Sequence, residues 1–260
     1  MNLVPALAVT TQRIALTDPL FISDLHLSEA QPRTLARFEE LLAGEACAHA
    51  ELVILGDLFE YWAGDDAADN DPVAQRVIVA LRALRAAGVV LFVMQGNRDL
   101  LLGADFAAAT GATLLADPTQ ATIGSETVLL AHGDTYCTRD LAYQRFRAQA
   151  RDPRFQSAFL TQPVEQRRAF IGQVRARSEA VKRETAADIM DVTPEAVRQA
   201  LRAAGVRKLI HGHTHHPAAH VFELDGAPAE RWVLPDWDLD SEAPRGGYLT
   251  CRGAWQLTLW

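Results

Sequence analysis

Five short apolar runs recur along the chain, and polar residues follow each of them. The runs lie at residues 20–23, 52–55, 89–94, 128–131 and 208–210. Their length and composition predict buried strands, and stretches with helical periodicity at 33–49, 73–87 and 194–204 lie between them. This alternation predicts an α/β architecture. The polar residues should meet at one edge of the sheet, because parallel strands place ligands at their carboxyl ends.

The polar residues at these strand ends form a mixed set of possible metal ligands. They are Asp24, His26, Asp57, Asn97, His132, His213 and His215. His213 and His215 are two positions apart, so on an extended backbone they should point to the same side. Seven oxygen and nitrogen ligands exceed what one zinc ion needs and suit two adjacent divalent ions, with Mn²⁺ a good candidate. Two such ions can clamp a phosphoryl group and activate water, which predicts hydrolysis of a phosphate ester or anhydride.

Composition excludes several other classes of protein. The chain has 260 residues, 49% hydrophobic residues and a net charge of −8, as expected for a globular enzyme rather than a nucleic-acid binder. No apolar stretch is long enough for a transmembrane helix. Three scattered cysteines and a poor signal sequence favour the reducing cytoplasm. Residues 1–18 are interpreted as a short extension of unknown function.

A basic insertion interrupts the strand pattern between His132 and His213. Its approximate bounds are residues 138–190, and it carries a net charge of +5 while the rest of the chain carries −13. It also contains four phenylalanines at helical spacing. The insertion is either a helical cap with solvated arginines or a lid that presents cations to phosphates and an apolar lining to an acyl chain or a membrane.

The strand-end motifs resemble those of the calcineurin-like metallophosphoesterases. The motifs are D-L-H, G-D-L-F-E, G-N-R-D, H-G-D and G-H-T-H, and they cover residues 20–217. The resemblance implies a single domain of two β-sheets flanked by helices (α/β/β/α), with a helical lid inserted at about 138–190. It also implies two Mn²⁺ ions per chain: Asp24, His26, Asp57 and His215 would hold one, and Asp57, Asn97, His132 and His213 the other.

The longer motifs, such as I-L-G-D-L-F-E-Y-W and G-N-R-D-L-L-L-G, are similar to one branch of this family, the UDP-2,3-diacylglucosamine diphosphatases of lipid A synthesis. That branch implies cleavage of a lipid-linked sugar nucleotide to UMP and 2,3-diacylglucosamine 1-phosphate, with peripheral contact to an anionic membrane at the cytoplasmic face of the inner membrane. Asn97 and Arg98 would be catalytic. Substrate contacts would come from Asn97, Arg98, Asp140, Ser178, Lys182, Thr185 and His213. Lys182 and Thr185 stand where relatives carry Asn and Lys.

Arg98 bears on the choice of substrate. Many relatives have His at this position, where it can protonate an alkoxide leaving group. An arginine cannot lose its proton near neutral pH, but its guanidinium can neutralise a pyrophosphate. Arg98 therefore favours cleavage of an anhydride, unless it forms a structural salt bridge with Asp99 or another neighbour. The alternatives are a phosphoesterase that acts on a soluble nucleotide or phosphoprotein, and a binding module without catalysis.

Overall fold

The computed structural model describes residues 12–184 and 191–260, with side chains described up to residue 178 and from residue 191 on. The described residues form two six-stranded sheets. Strands β1 to β6 are Arg13–Leu16, Pro19–Ile22, Glu51–Leu55, Val90–Met94, Thr113–Leu115 and Thr119–Ile123. Strands β7 to β12 are Glu126–Leu130, Lys208–His211, Ala218–Leu224, Ala227–Val233, Gly247–Cys251 and Trp255–Leu259.

The order of strands brings parallel neighbours together in both sheets. The first sheet has the order β1-β6-β7-β8-β10-β9, and the second has the order β12-β11-β2-β3-β4-β5. Strands β7, β8 and β10 run parallel, as do β2, β3, β4 and β5. Within each sheet, the carboxyl ends of these strands therefore lie along one edge.

The described helices either pack on the outer faces of the sheets or belong to the insertion. Their bounds are Pro32–Ala43 (α1), Pro72–Ala86 (α2), Ala104–Thr110 (α3), Leu141–Ala150 (α4), Pro153–Leu160 (α5), Val164–Glu184 (α6) and Pro194–Ala204 (α7). The helix predicted at 33–49 is wrong in length, since α1 ends before Gly44 and a 3₁₀ turn, Glu45–Ala48, follows it. None of the described helices is long and apolar enough to cross a bilayer.

Alternate side chains of the strands enter two different layers of the core. On β2, Leu20 and Ile22 pack with the face that α1 and α2 cover, whereas Phe21 lies in the layer between the two sheets. Leu209 of β8 packs against α7, while Ile210 faces the layer between the sheets. Burial on both faces explains the continuous apolar runs, and the predicted α/β/β/α architecture is confirmed.

The interpretation of residues 1–18 as an extension is wrong for its last third. Arg13–Leu16 forms β1, which pairs in parallel with β6, and Leu16 is buried between the sheets. Glu51 accepts hydrogen bonds from the backbone N–H groups of Thr17 and Asp18, which fixes the turn into β2. A strand of four residues whose partner lies more than 100 positions away gives too little local signal to be recognised.

Candidate metal centre and cavity

Five of the strand-end residues have a backbone in the left-handed region. Their φ values are 56° for Asp24, 51° for His26, 53° for Asp57, 69° for His213 and 57° for His215. Each such non-glycine residue costs about 1–3 kcal/mol, and these conformations cluster at functional sites. The expectation that His213 and His215 lie on an extended backbone is therefore wrong. The chain turns sharply after β8, and the two histidines enter different groups of side chains.

The first group contains Asp24, His26 and His215, each of which offers one atom within 4.8 Å of the others. The Nε2 atoms of His26 and His215 lie 3.3 Å apart, and Nε2 of His215 lies 3.5 Å from Oδ1 of Asp24. That Oδ1 atom is buried and has no hydrogen-bond partner among the described residues. A buried carboxylate oxygen in this situation is costly unless a cation lies beside it.

The second group contains Asp57, His132 and His213, with ligand atoms again within 4.8 Å of one another. Nδ1 of His132 lies 3.0 Å from the carbonyl oxygen of Leu55, to which only a protonated nitrogen can donate. Its Nε2 lies 3.0 Å from Oδ1 of Asn97 and 3.7 Å from Oδ2 of Asp57. A neutral His132 would thus turn its lone pair toward two acceptor oxygens, so the position favours positive charge.

One oxygen of Asp57 lies between the two groups. Its Oδ2 is 4.0 Å from Nε2 of His26 and 3.7 Å from Nε2 of His132, and its Oδ1 accepts a hydrogen bond from the N–H of Arg98. The chemistry of the donor atoms, the shared carboxylate and the unpartnered oxygen of Asp24 fit two adjacent divalent ions.

The buried charges act together on the pKa values of the histidines. Burial by itself lowers the pKa of His132, but the carboxylates of Asp57 and Asp24 outweigh it and raise the pKa to about 9. Burial and the neighbouring His132 lower the pKa of His213 to about 3. The carboxylates therefore favour one positive charge at this point, whether a proton on His132 or a bound cation, while burial and His132 keep His213 neutral, as a ligand must be.

Asp99 holds two of the ligand loops together. Its fully buried carboxylate accepts hydrogen bonds from the backbone N–H groups of Gly96, Asp57, Leu58 and Phe59. Close backbone approach also needs glycine: a Cβ on Gly96 would overlap the Asp57 carboxylate. The G-N-R-D and G-D-L-F-E segments are thus fixed to each other.

Arg98 faces the cavity and contacts Glu60, a residue that the sequence reasoning did not single out. Nη1 of Arg98 lies 3.5 Å from Oε1 of Glu60, and Arg175 of α6 binds the same oxygen. Oε2 of Glu60 lies 2.8 Å from Nδ1 of His26. Glu60 is the last residue of the G-D-L-F-E motif, and this position was the feature of the sequence that could have identified it as a site residue.

Asp236 is a second residue that the sequence reasoning missed. Its Oδ2 lies 3.4 Å from Nδ1 of His215, and the next N–H, of Trp237, donates to the carbonyl of Asp24. Asp236 follows β10, which runs parallel to β8. The rule that located the other strand-end residues would therefore have found it, had β10 been recognised as a parallel strand.

A cavity of about 750 Å³ opens from the metal groups toward the inserted helices. Asn97, Arg98, His213 and His215 line its polar end. Its apolar lining includes Leu100, Leu101, Phe146, Phe155, Phe159, Phe170, Ile171 and Val174. The ring centroids of Phe159 and Phe170 are 5.4 Å apart. Phe155, Phe159 and Phe170 therefore pack together as part of a cavity wall, which Phe146 also lines.

The expectation of solvated arginines is wrong for several residues of the insertion. Nε of Arg147 donates to the buried Asp134 at 2.8 Å, and its Nη2 lies 3.4 Å from Asp117. Arg167 is 1% exposed and binds Asp66. These pairs tie α4 and α6 to the two-sheet core, because the acidic partners lie outside the insertion.

The remaining residues of the predicted substrate site lie in several places. Asp140 lines the cavity and accepts a hydrogen bond from the N–H of Tyr143, so it also caps α4. Ser178 is exposed at the cavity. The side chain of Lys182 and the whole of Thr185 lie outside the described residues. Their expected contacts stay predictions.

The chain is similar to known proteins over most of its length. The model of the calcineurin-like phosphoesterase family matches residues 19–217. The UDP-2,3-diacylglucosamine hydrolase of Aromatoleum aromaticum is 52% identical over 222 residues, which are 85% of this chain and 90% of that protein. The UDP-2,3-diacylglucosamine hydrolase of Chromohalobacter salexigens is 51% identical over 218 residues, 84% and 88% of the two chains. Among solved structures, zinc-bound Vps29 of Entamoeba histolytica has a TM-score of 0.43 and 14% identity, covering 94% of this chain and 98% of that one.

Proposed function

Because the chain belongs to the calcineurin-like phosphoesterase family, we propose that it is a Mn²⁺-dependent hydrolase of the pyrophosphate bond of UDP-2,3-diacylglucosamine. The products would be UMP and 2,3-diacylglucosamine 1-phosphate. The names of its relatives support this substrate, and the arrangement of the cavity supports it independently.

The observation that carries the proposal is the combination of two chemistries in one cavity. At one end lie the two groups of metal ligands together with Arg98, and at the other lie the aromatic and aliphatic side chains of the insertion. A phosphoesterase for a soluble nucleotide needs the first end only. A diacylated sugar nucleotide uses both, since its pyrophosphate is anionic and its acyl chains are apolar.

The seven strand-end residues would hold two Mn²⁺ ions, with Asp57 shared between them. When bound, such a pair of ions supplies electrostatic stabilisation of the phosphoryl oxygens and lowers the pKa of water. The chain's own contribution is to position the pyrophosphate. The guanidinium of Arg98 would neutralise charge that develops on the departing sugar phosphate, and Asn97 and His213, which line the same end, would orient the phosphate nearer uridine.

The reaction balances with water alone. The oxygen of water bonds to the phosphorus nearer uridine, and the bond from that phosphorus to the bridging oxygen breaks. The bridging oxygen leaves with 2,3-diacylglucosamine 1-phosphate, and the protons of the water are released to the solvent. Since a phosphate leaves without being protonated, an arginine suffices where an alkoxide would require a general acid.

The proposed site of action is the cytoplasmic face of the inner membrane, with peripheral contact to its anionic surface. Large apolar side chains of the insertion are partly exposed: Leu141 by 65%, Phe146 by 39%, Leu160 by 40% and Phe170 by 42%. Together with exposed arginines of the same helices, they offer a surface that can approach lipid without crossing it.

Turnover of UDP-2,3-diacylglucosamine with Mn²⁺ in ¹⁸O-water tests the proposal. We expect UMP and the sugar phosphate as products, with the label in UMP by mass spectrometry. Label in the sugar phosphate would refute attack at the phosphorus nearer uridine. Absence of turnover, together with hydrolysis of a soluble nucleotide diphosphate, would instead favour a phosphoesterase that acts on soluble substrates.

A further inference from the structure

Two histidines of the first metal group are placed in the same manner. The Nε2 atoms of His26 and His215 face each other at 3.3 Å. The other ring nitrogen of each lies near a carboxylate at ion-pair distance: Nδ1 of His26 is 2.8 Å from Glu60, and Nδ1 of His215 is 3.4 Å from Asp236. The side chains of the two acids are 19% and 4% exposed. Each histidine therefore stands between its partner and an acid that is largely shielded from water.

Arginines hold both carboxylates in place. Oδ2 of Asp236 accepts a hydrogen bond from Nε of Arg245 at 2.9 Å, and Nη2 of the same arginine forms an ion pair with it at 2.7 Å. Glu60 is bound by Arg175 and lies 3.5 Å from Arg98. The acids are thus held by their arginines as well as by the histidines, and their oxygens have a fixed position from which to act on the imidazoles.

We propose that Glu60 and Asp236 are positioning residues that keep the proton of His26 and of His215 on Nδ1 and thereby direct both Nε2 lone pairs to one metal ion. A neutral imidazole has a single proton, and a carboxylate beside Nδ1 keeps it there. Two lone pairs that face each other at 3.3 Å repel unless a cation lies between them. The inference rests on the proposed dinuclear centre and adds two residues that act through its ligands.

The two acids differ in what else they touch. The arginines that bind Glu60 both line the cavity, whereas Arg245 is not among the described residues that line it. Glu60 therefore connects the metal group to the end of the cavity where the pyrophosphate is proposed to bind. A change at Glu60 should alter both metal affinity and KM, and a change at Asp236 should alter metal affinity alone.

Titration with Mn²⁺ alone, followed by electron paramagnetic resonance of the free ion, tests the inference. We expect wild-type protein to bind two Mn²⁺ ions. Glu60→Gln and Asp236→Asn should each weaken one of them by about 10- to 100-fold, the usual effect of removing such a partner. Asp238→Asn is the matched control, since Asp238 also pairs with Arg245, at 3.4 Å, but is 26% exposed. It should bind both ions as wild type does.

Glu60→Asp separates positioning from charge. The substitution keeps the negative charge but shortens the side chain by one methylene group. If Glu60 acts only through its charge, the Mn²⁺ affinity should be nearly normal. If it acts by positioning His26, the affinity should fall as it does in Glu60→Gln. Proton-coupled ¹⁵N spectra of the imidazoles, recorded with diamagnetic Mg²⁺, should show His26 and His215 protonated at Nδ1 in wild type and shifted toward the other tautomer in the variants.

Mn²⁺ affinities of Glu60→Asp and Asp236→Asn equal to that of Asp238→Asn would overturn the inference. Thermal unfolding in EDTA identifies variants that fold, and Asp236→Asn carries the test if the Glu60 variants do not. A wild-type protein that binds fewer than two Mn²⁺ ions would refute the dinuclear centre and the inference with it. If it binds two ions but does not hydrolyse the sugar nucleotide, the proposed substrate alone is refuted, because the metal titration does not depend on that substrate.

Discussion

Arg167 offers a direct test of how the inserted helices are held over the cavity. It lies on α6 and is 1% exposed. Its Nε donates to the carbonyl of Gln162 at 2.9 Å, its Nη1 donates to the carbonyl of Ala63, and both terminal nitrogens bind the carboxylate of Asp66. Substitution by Met removes all of these donors and keeps much of the aliphatic bulk.

The free-energy cost of Arg167→Met depends on which hydrogen-bond acceptors lose the guanidinium. The carboxylate of Asp66 is 61% exposed, so water can replace the guanidinium and the ion pair contributes little. The buried carbonyl of Ala63 loses a charged donor and is left unsatisfied, at about 1–3 kcal/mol, whereas Gln162 is exposed and the loss of its hydrogen bond costs about 1 kcal/mol. We therefore expect Arg167→Met to weaken the docking of α6 by about 2–4 kcal/mol.

The neighbouring Arg168 provides the control. It is 35% exposed, lies 3.8 Å from Asp71 and donates to the carbonyl of Ala67 at 3.3 Å. Arg168→Met should cost about 0–1 kcal/mol, as is typical of exposed pairs. The two variants remove the same group from adjacent positions of one helix, so their difference isolates the buried interaction.

Hydrogen exchange measured by mass spectrometry is the assay. Because docking of an inserted segment can be lost without global unfolding, α6 should exchange about 30- to 1,000-fold faster in Arg167→Met, while α2 and the sheets keep their protection. KM for UDP-2,3-diacylglucosamine should rise. Equal exchange of α6 in the two variants, or faster exchange throughout the protein, would refute the role of Arg167 as an anchor of the insertion.

Three further outcomes are expected. Arg98→Ala should slow hydrolysis of UDP-2,3-diacylglucosamine far more than that of p-nitrophenyl phosphate, because only the anhydride has a phosphate as its leaving group. Equal losses in kcat/KM for the two substrates would contradict this. Burial raises the pKa of Glu60, but His26 and Arg98 outweigh it and lower the pKa to about 2, so Glu60 stabilises the fold above about pH 4.5 by roughly 3 kcal/mol. That contribution is lost as the pH falls toward 2, so urea unfolding in EDTA should show a shallower acid dependence in Glu60→Gln than in wild type. Burial raises the pKa of the Cys137 thiol, and peptide mapping after treatment with iodoacetamide should find Cys137 unmodified at about pH 8 until the protein unfolds.

The sequence allowed the strands and the strand-end residues to be predicted because both depend on local patterns. Strands β2 and β3 are buried on both faces, so each appears in the sequence as an apolar run that can be recognised without knowing which strands it pairs with. The polar residues that follow them lie at one edge because parallel strands share a direction. The structure places Asp24, His26 and His215 in one group and Asp57, His132 and His213 in the other.

What could not be predicted depends on pairings between distant parts of the chain. The parallel alignment of β10 with β8 brings Asp236 beside His215, and no local pattern states which strand is the neighbour of which. The turn after β8 is also set non-locally. The N–H of His213 donates to Asp24 at 2.8 Å, a contact over 189 positions that stabilises a left-handed backbone where an extended one was expected.

Net charge was informative about the insertion only in part. An excess of +5 against −13 predicts attraction between the insertion and the remainder, but it does not say which cations face water. In the structure two of the acidic partners of the insertion lie in the motifs that carry the metal ligands. Arg147 binds Asp134 of the H-G-D motif, and Arg175 binds Glu60 next to His26.

This distribution of charge has a consequence for the proposed function. Cations of the insertion that are paired with the core cannot also attract a membrane at long range, so association with lipid should depend on the exposed apolar side chains more than on net charge. The same pairs form the walls of the cavity, since Arg175 and Phe170 lie on one helix and both line it. Because Glu60 binds Arg175 on one side and contacts His26 on the other, one carboxylate connects the insertion directly to a metal ligand.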